Sequence, residues 1–183
     1  MKPKNILISI FFLLTLASCQ TICKQEILIN RIVNSHEKSQ KKKYGLVLIG
    51  SGSSIPDHQV KKVIVHYVIG RPMQLDEARE LYVYSIEELL NLINSSKELW
   101  PYMDNYPFTI DNIDYILAFR NVSSRFDPPY VALMFLVRGD ICYAFYDTQK
   151  DKFIDEMDVQ EPYAEARRIV LGEDTPAINC SID

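Results

Sequence analysis

The chain has 183 residues, of which 48% are hydrophobic and 24% are charged, and its formal net charge is −4. This hydrophobic content excludes an intrinsically disordered chain, and the acidic balance argues against a nucleic-acid partner. The length after residue 18 is sufficient for one domain with its own core.

The first residues predict a secretory signal peptide. Lys2 and Lys4 give a basic start, an apolar run follows from Ile6 to Leu16, and small residues lead to Cys19. This order of features is typical of a cleaved signal. The apolar run is about half of the ~20 residues that a membrane-spanning helix needs, so no permanent transmembrane helix is expected.

The segment Leu16-Ala17-Ser18-Cys19 resembles the lipobox of bacterial lipoprotein precursors. The resemblance implies that the thiol of Cys19 receives a diacylglyceryl group, that residues 1–18 are removed as a lipoprotein signal peptide, and that the new amino terminus is acylated, for example with palmitate. Gln20 stands where an Asp would retain many Gram-negative lipoproteins at the inner membrane. The resemblance therefore implies a lipid anchor in the bacterial cell envelope, with the outer membrane favoured over the inner.

Two other interpretations of this region remain open. In the first interpretation, Cys19 is an ordinary cysteine near the start of a cleaved secretory protein. In the other, the signal is eukaryotic, because Asn94, Asn121 and Asn179 each begin a triplet that fits the N-glycosylation pattern.

The remaining cysteines and the histidines predict neither a metal site nor a cofactor. Cys142 lies in an apolar strand and is expected to be a small buried residue, whereas a disulfide between Cys23 and Cys180 is left open. No Cys-x-x-Cys pair and no histidine at ligand spacing is present.

The charges are unevenly distributed along the chain. Residues 24–71 hold nine basic and three acidic side chains, and residues 72–183 hold nine basic and 21 acidic side chains. The densest basic cluster is Lys38, Lys41, Lys42 and Lys43. This cluster has two interpretations. It either binds an anionic lipid surface, where each charge adds about 1 kcal/mol of attraction, or it is a solvated helix end.

Residues 19–43 are predicted to be a lipidated tether and an N-terminal helix, which either packs on the domain or lies on the membrane. A single α+β domain is expected at 44–172, followed by a mobile tail at 173–183. Its first elements are a buried strand at 44–49, a loop at 50–56 and a strand at 61–69.

The clearest helix is predicted at residues 74–95, because apolar side chains recur there every three or four positions. Leu89 lies on the apolar stripe and Glu88 lies off it. We therefore expect Glu88 to tolerate alanine and Leu89 not to tolerate it.

The second half of the chain predicts further strands and a short helix. Strands are expected at 112–120, at 130–137 as a central strand, at 141–146 after a Gly139-Asp140 turn, and at 152–160 as an edge strand. A short final helix is expected with Pro162 at its first position and Gly172 just past its end. The predicted fold is an α+β domain: a mostly antiparallel sheet of about five or six strands, with one long and one or two shorter helices packed on it.

Two regions are candidate sites. The Gly50–Ser54 loop is interpreted first as a polar turn, because it has neither the P-loop nor the Gly-x-Ser-x-Gly pattern. In the alternative function, a membrane-tethered hydrolase or small-ligand-binding protein, the site lies near this loop and includes His58. Trp100, Tyr102 and Tyr106 lie in a proline-rich connector and are candidate interaction residues, with core packing as the alternative for Trp100. No catalytic residue is assigned.

The segment from Leu75-Asp76-Glu77-Ala78-Arg79 to Tyr106-Pro107-Phe108-Thr109 resembles small uncharacterised lipoproteins of chlamydia-like bacteria. This resemblance implies no activity. The favoured interpretation is a membrane-anchored envelope lipoprotein that acts as a non-enzymatic interaction or structural module, with an envelope protein as a candidate partner.

Overall fold

The computed structural model describes residues 23–120, 130–147, 150, 152–154 and 159–172. The predicted signal peptide, the lipidation site at Cys19, the cysteine at 180 and the tail predicted at 173–183 lie outside the described residues. Within them, the predicted fold class is confirmed, because helices pack on one face of a mixed six-stranded sheet.

Three α-helices are present among the described residues: α1 (Lys24–Tyr44), α2 (Leu75–Ser95) and α3 (Tyr163–Leu171). Helices α1 and α3 each end at a glycine in the left-handed region, Gly45 (φ 76°) and Gly172 (φ 67°), where a side chain would be strained. The predicted helix at 74–95 corresponds to α2, which buries its apolar stripe completely at Leu89.

Helix α1 is as long as α2, at 21 residues, and it packs on the domain. Its buried residues Leu28, Ile29 and Val33 belong to the main hydrophobic core. Of the two arrangements that the sequence left open, the structure has the one in which this helix covers the sheet. The helix is therefore part of the domain rather than part of a separate tether.

The main sheet has the order β1-β2-β3-β4-β5-β8. Its strands are β1 (Val47–Ser54), β2 (Lys62–Ile69), β3 (Ile113–Phe119), β4 (Leu133–Val137), β5 (Asp140–Ala144) and β8 (Val159–Pro162). Only the β2–β3 pairing is parallel, and α2 makes the crossover between these two strands. Two short strands, β6 (Tyr146–Asp147) and β7 (Lys152–Phe153), pair separately.

The core lies between this sheet and the helices. Strand β2 presents one face of fully or nearly fully buried residues, as its alternation predicted: Val63, Val65, Tyr67 and Ile69. The parallel neighbour β3 adds the matching set Ile113, Tyr115, Leu117 and Phe119. Burial of such side chains stabilises the fold by about 1.5–3 kcal/mol each.

The predictions for β1 were wrong. Residues 50–54 form the second half of this strand rather than a loop, since Ser51 to Ser54 pair with Val65 to Lys62 of β2. The run predicted as a buried strand is instead part of an edge strand, in which Val47 and Ile49 are 49% and 58% exposed. Pairing with β2 imposes the extended conformation on glycine and serine residues that have little strand preference of their own.

The turn between β4 and β5 also differs from its prediction. Val137 pairs with Asp140, so the two turn residues are Arg138 and Gly139 rather than Gly139 and Asp140. Both have positive φ values, 52° and 87°, as a type I′ hairpin turn requires. The single edge strand predicted at 152–160 is divided between β7 and β8.

One end of the domain, which we call the basal end, is where α1 begins, α2 ends, β1 ends and β2 and β3 begin. Gln25 Nε2 donates to the backbone oxygen of His58 (3.1 Å), and Arg31 pairs with Glu98 (3.3 Å). These contacts join the first turns of α1 to the turn after β1 and to the segment after α2. The connector between α2 and β3 therefore lies beside the start of α1.

The basic cluster lies at the other end of α1. Lys41, Lys42 and Lys43 occupy its last turn, where positive charge complements the helix dipole. At 1.5 Å per residue, Lys41 is about 26 Å from Lys24 along the helix axis. The cluster therefore lies far from the basal end, although both belong to the N-terminal part of the sequence.

Candidate functional site

Residues 50–54, near which the alternative function places a site, do not bring a serine together with His66. Gly50 pairs with His66 and Ser51 pairs with Val65, so Ser51 and His66 occupy successive register positions and face opposite sides of the sheet. His58 lies beyond the strand, in a short turn (Pro56–His58) in which Asp57 and His58 have positive φ values, 51° and 63°. Ser51 and His66 therefore do not form a nucleophile and base pair.

The sheet face opposite the helices is partly apolar. Ile64, His66, Ile116, Phe135 and Cys142 are half-buried on this face. Cys142 is thus less buried than expected. The Nε2 atom of His66 is buried and has no hydrogen-bond partner among the described residues.

The fold does assemble a histidine with hydroxyl groups, but in the core. The imidazole of His36, on α1, is completely buried, and its Nδ1 and Nε2 atoms lie 2.8 Å from the Tyr67 hydroxyl and 2.9 Å from the Ser85 carbonyl oxygen. A carbonyl oxygen only accepts hydrogen bonds, so Nε2 carries the proton and Nδ1 accepts from Tyr67. His36 thereby links α1, α2 and β2.

A second chain of hydrogen bonds continues from Ser85. Its hydroxyl donates to Gln40 Oε1 (2.5 Å), so the Tyr115 hydroxyl, also 2.5 Å away, donates to Ser85 Oγ. Tyr82 in turn donates to the backbone oxygen of Tyr115 (2.5 Å). Gln40, Ser85, Tyr82 and Tyr115 are all fully buried, and these bonds satisfy their side chains.

Burial keeps these groups neutral. It lowers the pKa of His36 to about 4, and it raises the pKa values of the Tyr82 and Tyr115 hydroxyls well above 10. A neutral histidine that is closed off from solvent, with both ring nitrogens bonded, has no free atom to offer a substrate. This cluster therefore acts as a set of tie points between helices and sheet.

Glu88 forms the surface end of the network. Its carboxylate accepts from Ser39 Oγ (2.6 Å), Gln40 Nε2 (2.8 Å) and Lys43 Nζ (2.9 Å). Partial burial alone would raise the pKa of Glu88, but the bonds from Ser39 and Lys43 outweigh it and hold that pKa below its usual value. The expectation that Glu88 tolerates alanine considered only its position off the apolar stripe of α2. It did not include the three side chains of α1 that bond to the carboxylate.

The connector residues predicted as interaction candidates lie together at the basal end. The rings of Trp100 and Tyr106 are 4.9 Å apart between centroids, and the side chains are 38% and 55% exposed. Tyr102 is half-buried against the core, and the ammonium group of Lys24 lies 5.5 Å from its ring centroid. Trp100 is thus at the surface rather than in the core.

Polar side chains hold this connector in place. Asn94 bonds to both backbone groups of Phe108. Its Nδ2 atom donates to the Phe108 backbone oxygen (3.0 Å), and its Oδ1 atom accepts from the Phe108 backbone amide (2.8 Å). The indole of Trp100 donates to the backbone oxygen of Asn94 (2.9 Å), and Asn112 Nδ2 donates to the backbone oxygen of Lys61 (3.0 Å). The exposed rings are therefore mounted on an anchored segment, and the amide of Asn94 is engaged within the domain.

The same connector is bonded to the turn before β2. Val60 N donates to the oxygen of Tyr102 (2.6 Å), and Asp104 N donates to the oxygen of Val60 (3.0 Å). Together with the contacts of Gln25 and Arg31, these bonds make the basal end one continuous surface. We call Ile27, Trp100, Pro101 and Tyr106, which are exposed on it, the basal aromatic surface.

Four surface clefts of the described part lie elsewhere. One of them, of about 280 Å³, lies between the end of α1 and α2 and is lined by Tyr44, Arg71, Met73, Glu77, Glu80, Leu81 and Tyr84. None of these four clefts is lined by residues 50–54 or by His58. The cleft supplies a mixed-charge rim without a histidine, serine or cysteine nucleophile.

No protein-family model matches the sequence, and no curated protein or solved structure matches it either. Among the described residues, no group of three or more histidine, cysteine, aspartate or glutamate side chains is arranged to hold a metal ion. Within the same residues, no helix has both the length and the apolar composition that crossing a bilayer requires.

Sequence reasoning missed the buried network around His36. A signal was present, because His36 and Gln40 are four residues apart on the apolar stripe of α1, and Ser85 interrupts the stripe of α2 between Tyr82 and Leu89. Polar residues at core positions of two helices predict that the helices bond to each other. The identities of their tyrosine partners, far along the chain, could not have been read from this pattern.

Proposed function

We propose that this chain is a membrane-anchored lipoprotein of the bacterial envelope, lipidated at Cys19, whose α+β domain is a non-enzymatic interaction or structural module. The observation that carries the proposal is the segment Leu16-Ala17-Ser18-Cys19, which ends only five residues before helix α1. A lipid on Cys19 would hold the folded domain directly at a membrane. Gln20 favours the outer membrane.

Two structural facts support a non-enzymatic role. The histidine and hydroxyl groups that the fold brings into hydrogen-bonding distance are buried and neutral, and their bonds are used within the core. The serine-rich segment of the alternative, a tethered hydrolase or small-ligand-binding protein, is part of an edge strand, and Ser51 faces away from His66. Acyl transfer needs a nucleophile and a base in contact.

The basal aromatic surface supports an interaction role. Interface energy concentrates in aromatic side chains with a polar atom, and Trp100 and Tyr106 are exposed but held by an ordered connector. These rings, with Tyr102 beneath Lys24, are the interaction residues of the proposal.

Metabolic labelling with a clickable palmitate analogue tests the anchor. The wild-type protein should be labelled and should sediment with outer-membrane vesicles, whereas Cys19→Ser should lose the label and accumulate as unprocessed precursor. Cys23→Ser is the matched control, because it removes a thiol only four residues away and should leave the label unchanged. Equal labelling of wild type and Cys19→Ser contradicts the proposal.

A further inference from the structure

The distance between the anchor and the domain is limited by chain length. Five residue steps separate Cys19 from Lys24, the first residue of α1, and an extended chain spans at most about 3.6 Å per residue. The start of α1 therefore lies within about 18 Å of a lipidated Cys19. The headgroup layer of one leaflet is itself about 5–7 Å thick, so the basal end is the part of the domain nearest to it.

The basal end presents the side chains that favour a membrane interface. Trp100 and Tyr106 are amphipathic aromatic residues, and such residues are enriched where hydrocarbon meets headgroups. Lys24 contacts Tyr102 of the connector, and Arg31 contacts Glu98. Ile27, which is 49% exposed, is three residues after Lys24 and four before Arg31. Helical spacing therefore puts Ile27 on the side of α1 that faces the connector.

Charge at the basal end is balanced. Five basic side chains (Lys24, Arg31, Lys61, Lys62 and Lys97) accompany five acidic ones (Glu26, Asp57, Glu98, Asp104 and Asp111). The denser cluster, Lys41 to Lys43, is at the far end of α1. A membrane contact at the basal end therefore depends mainly on its apolar and aromatic side chains, and it should show little dependence on salt or on anionic lipid.

We infer that the basal aromatic surface rests on the bilayer, with Trp100 and Tyr106 at the level of the lipid headgroups, so that the domain has a fixed orientation on the membrane. This inference rests on the proposed lipid anchor at Cys19. The anchor supplies a high local concentration, and the aromatic contact restricts how the tethered domain turns. The partner of this surface is thus the lipid interface rather than a protein.

The sequence provides its own probe, because Trp100 is the only tryptophan of the chain. The mature lipoprotein, purified from membranes, is reconstituted into phosphatidylcholine vesicles with or without brominated acyl chains, which quench nearby indoles. Brominated lipid should remove most of the Trp100 emission, and the vesicles should protect Trp100 from aqueous iodide. Added phosphatidylglycerol or salt should change these results little.

Variants separate the surface from the anchor. Tyr106→Ser and Ile27→Ser should each reduce quenching by brominated lipid and restore quenching by iodide, with the palmitate label retained. Tyr84→Ser is the matched control, since Tyr84 has the same exposed fraction as Trp100, 38%, but lies by the cleft between α1 and α2. Replacement of Lys41, Lys42 and Lys43 by glutamine should also have no effect.

Three results would overturn the inference. A labelled wild-type protein whose Trp100 is open to iodide and insensitive to brominated lipid shows that the anchor exists but the surface faces water. Protection from iodide in native envelopes, without lipid quenching in vesicles, shows that a protein covers it. Loss of the label from the wild-type chain refutes the proposed anchor itself, which the labelling experiment detects separately.

Discussion

The Nδ1 atom of His36, on α1, lies 2.8 Å from the hydroxyl oxygen of Tyr67, on β2, although 31 residues separate them in sequence. The other ring nitrogen donates to the Ser85 carbonyl oxygen of α2. One neutral imidazole therefore joins the N-terminal helix to both the sheet and the crossover helix. Protonation of this ring would remove the acceptor that Tyr67 uses.

This contact predicts a loss of stability on mild acidification. Burial lowers the pKa of His36 from 6.5 to about 4, so the unfolded chain binds the proton first. The stabilisation is complete above pH 6.5 and declines as the pH falls towards 4, by about 3 kcal/mol in total at 1.36 kcal/mol per pKa unit. Urea melts of the domain between pH 7.5 and 4 should show this decline.

The matched variants isolate the buried ring. His36→Gln should be less stable at pH 7 but should lose the His36 component of the pH dependence between 6.5 and 4. His58→Asn, at an exposed turn position with φ of 63° that asparagine tolerates, is the matched control for the loss of one imidazole. A wild-type profile in the His36→Gln protein would show that another group controls acid sensitivity.

Glu88 and Leu89 are adjacent in α2, and both should matter, for different reasons. Leu89→Ala removes a fully buried side chain and should cost about 2–5 kcal/mol of unfolding free energy. Glu88→Ala leaves the buried amide of Gln40 without its acceptor and should cost about 1–3 kcal/mol.

Glu80→Ala serves as the control on the same helix, because Glu80 is exposed and should change the unfolding free energy by no more than about 0.5 kcal/mol. Denaturant melts at pH 7 rank the three variants. If Glu88→Ala melts like Glu80→Ala, the network at the end of α1 contributes nothing to stability.

Leu89 and Glu88 show what the sequence could and could not predict. The position of Leu89 follows from the three- and four-residue spacing of α2, because one face of that helix is buried along its whole length. The role of Glu88 depends on Ser39, Gln40 and Lys43, more than 40 residues away. Periodicity reports whether a position is buried, but it does not identify the partner of a polar side chain.

The strands show the same division. Strand β2 was predicted from its alternation, because its alternate residues are buried under the helices. The second half of β1 was not, since Gly50 to Ser54 have small side chains with no apolar pattern, and their extended conformation comes from pairing with β2. The aromatic connector was recognised by its prolines, but its position beside the start of α1 depends on the contacts of Lys24 with Tyr102 and of Arg31 with Glu98.

Glu161 should be important for holding the edge strand β8 against α2. One carboxylate oxygen accepts from Arg79 Nε (2.7 Å) and from the hydroxyl of Tyr143, and the Arg79 and Glu161 side chains are only 14% and 15% exposed. Glu161→Ala removes one of the two carboxylate partners of Arg79, which keeps its bond to Asp76, and leaves the buried Tyr143 hydroxyl without its acceptor, so we expect a cost of about 2–4 kcal/mol in thermal or urea melts.

A surface ion pair provides the comparison for Glu161. Glu165 bonds to Arg168 on the exposed side of α3, where solvent screens the charges, so Glu165→Ala should leave the melting curve essentially unchanged. Similar melting curves for the two variants would indicate that the Arg79–Glu161 contact is not formed in solution.

The choice between a non-enzymatic module and a tethered hydrolase can be tested residue by residue. Ser51→Ala, Ser53→Ala, His58→Asn and His66→Ala should each give a folded protein and a wild-type phenotype in cells, because Ser51 and His66 face opposite sides of the sheet. Loss of one member of a catalytic set typically costs several orders of magnitude in rate.

The aromatic residues should behave in the opposite way. Trp100→Ala and Tyr106→Ala should fold, because their rings are largely exposed, yet they should impair whatever phenotype deletion of the gene produces. Circular dichroism and complementation of a deletion strain measure the two properties in parallel. A folded Ser51→Ala or His66→Ala protein that fails to complement, beside a Tyr106→Ala protein that complements fully, would favour an enzyme over a non-enzymatic module.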